Sequence, residues 1–342
     1  MRILSTLCFA FLFFACTVEN EPASAHRDDS ASGMLIIGNK GEDSISLIDL
    51  SNGRELKRLP TSGPAPHEIA TSPDGKVIAV VHYGGNGIEL FDVKARKAIG
   101  TINLPDGARP HGLVWLPDGR MVATAEGVNA IAVIRPCGPN ERCTSPAYTH
   151  RMISTGQKGS HMVAVSPDGN RAYVANLGSA SVTMVDVRSF KKLKDAAAGK
   201  GTEGIAITAD GKEVWASARE TNKAYIYDAA TLKKKAKVDV GKFPLRIIAS
   251  PDGKHMVTSN LQDGSLSVID VATRTVVRTI PVLGGGDERQ VTIIFSPDGS
   301  RIYAALTGAN KIAEIDFASG KRLRLLSGGA QGDGLAIVPA PQ

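Results

Sequence analysis

The sequence predicts an all-β, seven-bladed β-propeller closed by pairing of its N- and C-terminal strands. Three observations predict it: a Pro-Asp-Gly type of turn that recurs six times, four short strand-like stretches per recurrence, and a spare strand at one end that matches a gap at the other.

The turn is Ser72-Pro73-Asp74-Gly75, then Leu116-Pro117-Asp118-Gly119, Ser166-Pro167-Asp168-Gly169, Thr208-Ala209-Asp210-Gly211, Ser250-Pro251-Asp252-Gly253 and Ser296-Pro297-Asp298-Gly299. Proline presets φ, aspartate bonds its own backbone and glycine accepts a positive φ, so each copy makes a tight hairpin. The turn glycines are 42 to 50 residues apart, a period that belongs to repeat architectures.

Between turns the same parts return. One apolar run precedes the turn (Ile205-Ala206-Ile207) and one follows it (Val214-Trp215-Ala216). A third ends in aspartate, as in Ser267-Val268-Ile269-Asp270, and a fourth is polar and basic, as in Lys233 to Val238. Four short strands per unit make a propeller blade; they are called a to d from the axis outward. Ahead of the first turn, Met34 to Ile37, Ser46 to Asp49 and Glu55 to Leu59 read as b, c and d with no a. Gly334 to Pro339 is the missing a, so a seventh blade closes the ring and leaves no open sheet edge.

The N-terminal part reads as export machinery. Arg2 precedes an apolar stretch from Ile3 to Ala15, too short to span a membrane and typical of a secretory signal over residues 1–15. Ala15-Cys16 suits lipoprotein processing with Cys16 acylated, whereas Ala23-Ser24-Ala25 suits ordinary signal peptidase. Glu19 to Ser32 is a polar tether, and the propeller covers 33–342. The expected location is periplasmic or at the outer membrane, with secretion as the alternative. Once exported, Cys137 and Cys143 are expected to pair, pinning the one long insertion between strands c and d.

The formal charge of +6 is modest and much of it sits in strand d, at Lys191, Lys192 and Lys194 and at Lys233 to Lys235 with Lys237. That is the signature of a solvated outer edge. No aromatic residues interleave with these lysines to stack on bases, so nucleic acid is not the expected partner. Membrane contact is expected through the lipid alone, and a monomer is expected. No Gly-rich phosphate loop precedes a helix, and neither a Gly-x-Ser-x-Gly elbow nor a Cys-x-x-Cys-His motif occurs.

The histidines carry the chemical signal. Eight residues before each turn glycine, at the start of strand a, stand His67, His111, His161, Glu203, Leu245 and Val291, with Asp333 in the closing blade. Seven residues after each glycine, at the end of strand b, stand His82, Glu126, Asn176, Ala218, Asn260 and Leu306. Antiparallel pairing puts both positions on one face, so His67, His82, His111, Glu126, His161 and Glu203 are expected at one sector of the channel mouth. Imidazole with carboxylate suits a divalent transition metal, Zn, Cu, Fe or Mn. His67, His111 and His161 are the expected ligands, Glu203 the fourth, and His82 and Glu126 further ligands or supports. A lone strand-end histidine could equally bond a neighbouring backbone.

The stretch Ser166 to Asn176, with Val185-Asp186, resembles the YVTN-family β-propeller repeat proteins of bacteria and archaea. Over roughly residues 33–340 that resemblance implies the propeller and leaves function open, since the family includes surface, binding, enzymatic and DNA-binding proteins. Pro66-His67-Glu68-Ile69 and Pro110-His111-Gly112-Leu113 resemble the strand starts of virginiamycin B lyase-type propellers, which implies a metal at this mouth, as similarity to lactonase propellers also does. The expected function is a binding or scaffold protein holding a metal, a small ligand or an envelope protein at the mouth. The alternatives are a metal-dependent lyase, lactonase-like hydrolase or oxidase with Glu126 or Glu68 as base, and a DNA-binding propeller.

Overall fold

The computed structural model describes residues 32–143, 146–282 and 289–340. The signal segment, Cys16, the alternative cleavage site and the tether up to residue 31 lie outside the described residues. Among the described residues, twenty-eight strands, β1 to β28 in chain order, form seven four-stranded antiparallel sheets. Six blades run consecutively from a to d, beginning with β4 (Pro66–Thr71), β8 (Pro110–Trp115), β12 (Ser160–Val165), β16 (Thr202–Ile207), β20 (Pro244–Ala249) and β24 (Gln290–Phe295). These innermost strands pack against one another around the axis. Among the described residues no helix is long and apolar enough to cross a membrane.

The ring closes as the sequence predicts. β28 (Gly332–Val338) is strand a of the blade continued by β1 (Met34–Asn39), β2 (Ser44–Asp49) and β3 (Glu55–Pro60). Met34 pairs with Val338, Leu35 with Ile337, Ile36 with Ala336 and Ile37 with Leu335. This blade is called the first, and that of β4 the second. Gly334 has a packing reason to be glycine: a Cβ there would stand 1.7 Å from the His67 carbonyl oxygen, so β28 could not lie against β4.

The turns close by a repeated set of bonds. Asp74 Oδ1 accepts from Ser72 Oγ at 2.7 Å and from the Lys76 N–H, while Gly75 N–H donates to the Ser72 carbonyl with φ at 68°. The same hydroxyl–aspartate bond recurs at Ser166, Thr208, Ser250 and Ser296. The core lies between blades, in seven apolar clusters that each bridge one pair of neighbouring sheets. Trp215, Tyr173, Tyr227 and Tyr303 are its largest fully buried side chains. Cys137 and Cys143 form a disulfide in the connection between the third and fourth strands of the third blade, as expected.

One irregularity is common to all seven blades and shapes the mouth. The pairing of strands a and b slips by one residue at the start of every a strand, between Pro66 and Ile69 in the second blade and between Pro244 and Arg246 in the sixth. The same slip occurs in the other five. A bulge of this kind sets two consecutive residues against one partner and re-aims their side chains. Side chains on both sides of the slip thus reach the channel.

Candidate functional site

Two rings of residues make up the mouth. The lower ring lies at the slip, reading round from the first blade as Asp333, His67, His111, His161, Glu203, Leu245 and Val291. The upper ring is the residue after strand b: Lys40, Tyr83, Glu126, Leu177, Arg219, Leu261 and Thr307. In every blade its N–H donates to the carbonyl of the residue that precedes strand a, from Lys40 to Gln331 through Thr307 to Arg289.

Three imidazoles stack in the lower ring. His111 lies between His67 and His161, with ring centroids 4.2 Å and 3.7 Å away. All three are buried. Burial alone would lower His67, but the carboxylates of Asp333 and Glu68 outweigh it and hold the imidazole above its usual value. Burial also opposes protonation of His161, and Glu126 and Glu203 reverse that. Among the described residues no carboxylate is hydrogen-bonded to His111. Burial, and then the charges of His161 and His67, push it well below its usual value.

The partners explain the asymmetry. His67 Nε2 is 3.2 Å from Asp333, whose carboxylate also takes Lys40 Nζ at 2.6 Å and the Thr292 hydroxyl at 2.9 Å. His161 Nδ1 is 2.5 Å from Glu126 Oε2, and Glu126 Oε1 accepts the Tyr83 hydroxyl at 3.0 Å. The Tyr83 ring meets both His67 and His111 edge-on, and the Arg109 guanidinium lies over it at 4.5 Å. Burial and the Glu126 charge push the Tyr83 phenol up to about 12. Among the described residues, His67 Nδ1 and His111 Nδ1 are buried without a hydrogen-bond partner, His67 Nδ1 lying 3.7 Å from Glu68 Oε1.

Beneath the histidines one guanidinium crosses the channel. Arg246, on β20, donates from Nη2 to Glu68 on β4 at 2.7 Å and from Nη1 to Glu203 on β16 at 3.3 Å. It is 4 % exposed. Glu203 also accepts from Arg219 at 2.7 Å. Burial would raise Glu68, Glu203 and Asp333, but the surrounding cations hold all three below the usual carboxylate range, Asp333 well below it.

The expected ligand set is therefore regrouped. His67 and His111 come together with Glu68, their donor atoms within 4.8 Å of one another. His161 stacks beside them, but its nitrogens face Glu126 and Glu203. Glu203 is taken up by two arginines. His82 corrects the expectation: it is not at the mouth. Its Nε2 lies 3.2 Å from Glu89 inside the second blade, and a Cβ on Gly63 or Gly87 would collide with its ring. The reason is shown by other blades, where Asn39, Asn176 and Asn260 occupy this position and donate to hydroxyls of strand c. The end of strand b points into its own sheet.

Glu126 reaches the mouth for a different reason than the count suggested. The third blade has one residue fewer after its turn, and Ala125, not Glu126, pairs with Pro110 as His82 pairs with Pro66. Glu126 is thus the counterpart of Tyr83. Tyr83, Arg246, Lys40 and Arg219 were missed by the sequence reading. A count anchored on the pairing partner of strand a's first residue, plus one, finds three of them.

In the strand-d basic patches, Lys192 pairs with Asp195 and Lys235 with Glu213, so part of that charge is neutralised within the fold.

No curated protein sequence matches the chain. Among solved structures it is similar to the dihydro-heme d1 dehydrogenase NirN in complex with DHE, at 13 % identity over 93 % of this chain and 78 % of that one, with a TM-score of 0.66; at this identity the likeness is one of fold. The family described as lactonase, 7-bladed beta-propeller matches residues 48–279, all within the ring that carries this mouth, and the chain belongs to that family.

Proposed function

We propose that the chain is an exported, lipid-anchored propeller whose mouth binds a divalent transition metal through His67, Glu68 and His111. The observation that carries this reading is the pair of buried, unpartnered nitrogens, His67 Nδ1 and His111 Nδ1, beside a carboxylate. An unsatisfied buried polar atom costs about 1–3 kcal/mol. An ion held by His67 and His111 would remove that cost by taking up both nitrogens. The donor set of two imidazoles and a carboxylate suits Zn, Cu, Fe or Mn. The disulfide supports export, since such bonds persist in oxidising compartments.

A second reading, hydrolysis of a lactone or related ester, is supported by the family match. A metal bound here would supply Lewis acidity to a carbonyl oxygen. Tyr83 would orient a bound molecule over His67 and His111, and Glu126 would fix Tyr83 and His161 in place. Both Glu126 oxygens are engaged and its carboxyl is held low, burial being outweighed by His161 and Tyr83. That favours a positioning role for Glu126 over the base expected from the sequence.

Metal analysis of protein purified without a polyhistidine tag tests the first reading. About one divalent ion per chain is expected, lost in His111→Ala. A chain that neither retains nor takes up such an ion overturns it. Base uptake at constant pH with a panel of lactones tests the second.

A further inference from the structure

The mouth has two unlike halves. Five blades place titratable groups in the lower ring, but the sixth and seventh place Leu245 and Val291 there, and Leu261 lies above them in the upper ring. Over these residues opens a hollow of ≈ 590 Å³, within the range of small-molecule sites. Its charged lining residues are Lys40 and Arg289; none of the described residues that line it is acidic. Arg289 is exposed at the rim. Lys40 stands at the boundary between the halves, since its ammonium holds Asp333, which in turn holds His67.

We propose that this hollow binds a small organic anion, a carboxylate on an apolar body, with the body on Leu245, Leu261 and Val291 and the carboxylate on Arg289 and Lys40. The apolar floor removes hydrocarbon from water at about 25 cal/mol per Å². The floor cannot solvate a charge, so the carboxylate must lie at the rim, where guanidinium and ammonium donors stand. The position matters as much as the composition. Lys40 is bonded to Asp333, and Asp333 to His67, so the carboxylate end of a molecule seated there adjoins the histidine cluster. The inference rests on the mouth being a ligand site and deepens that reading by naming the ligand's chemistry; it does not depend on the metal.

The test uses the full chain treated with a chelator, titrated calorimetrically with 4-phenylbutyrate and with its neutral amide. The carboxylate is expected to bind about tenfold more tightly than the amide, the scale of a hydrogen-bonded charge. Arg289→Met should remove that preference and leave amide binding unchanged, and Val291→Glu should abolish carboxylate binding. Equal binding of acid and amide, or a carboxylate affinity unmoved by Arg289→Met, overturns the proposal, as does no binding of the carboxylate at millimolar concentration. Arg289 is exposed, so its variant is read even if Val291→Glu fails to fold. Because the metal is stripped first, failure here is separate from failure of the metal reading, which metal content alone decides.

Discussion

The two faces of the propeller are built by the same strands and could hardly differ more. On the turn face, four of the six inter-turn blades carry Ser-Pro-Asp-Gly and a fifth keeps a hydroxyl and the aspartate, with the same hydroxyl–aspartate bond each time. At the mouth, the equivalent positions run from Asp333 through three histidines and Glu203 to Leu245 and Val291. Repetition marks residues that solve the same local problem in blade after blade. Departure from repetition marks residues that do something only one sector needs. Strand pairing transmits the first, and the bulge exposes the second.

This contrast can be broken at several points. The largest effect should come from deleting residues 333–342. Without β28 both β1 and the neighbouring a strands lose their partners, and cooperative thermal unfolding should disappear; a truncated chain that melts like the parent would mean the ring is not closed by this strand.

Next in size is Arg246→Met. It leaves Glu68 and Glu203 buried with one cation fewer, and loss of one partner from such a network costs about 3–5 kcal/mol. Urea denaturation measures it. A change under 1 kcal/mol, roughly the size of a surface pair, would show that water enters the channel and screens the pair.

His111→Ala and His82→Asn sharpen the comparison between mouth and blade interior. The first should lower metal affinity about 10- to 100-fold or more while barely moving the melting temperature of the metal-free chain. The second restores the residue other blades use and should leave metal affinity unchanged. Equal losses from both would return His82 to the site.

The smallest effect belongs to the turn face. Hydrogen bonds from Ser72 and Lys76 hold the Asp74 carboxyl down to about 2, and those from Thr208 and Lys212 do the same for Asp210. A depressed carboxyl adds stability that is present above its unfolded value, about 3.9, and is lost as pH falls toward 2. Asp74→Asn should therefore lower the urea midpoint slightly at pH 7, with the gap to the parent closing between pH 4 and pH 2. A gap independent of pH would assign the effect to turn geometry alone.

The fold was legible because its information is local and repeated: a hairpin turn with fixed offsets and a strand length that varies little before it. The lower ring was legible for the same reason, since strand a keeps a length of six residues in all six consecutive blades. The upper ring was not. Past the turn the third blade is one residue short, and side chains alternate faces along a strand, so a count off by one exchanged Tyr83 for His82 yet reached Glu126. Arg246 was hidden by the bulge, which brings a second consecutive residue into the channel where strict alternation would turn it away. Glu68 was noticed for its neighbourhood to His67, and its place between His67, His111 and Arg246 needed the third dimension.

Strand b begins at the turn face and strand a ends there, and the closing blade is made of one of each from opposite termini. Met34 and Val338 are therefore paired neighbours on the side away from the histidines. The described chain enters and leaves the ring side by side on that face, as a stem meets a cup. A group joined to the chain beside Met34 or Val338 would therefore meet the propeller on the face opposite the opening.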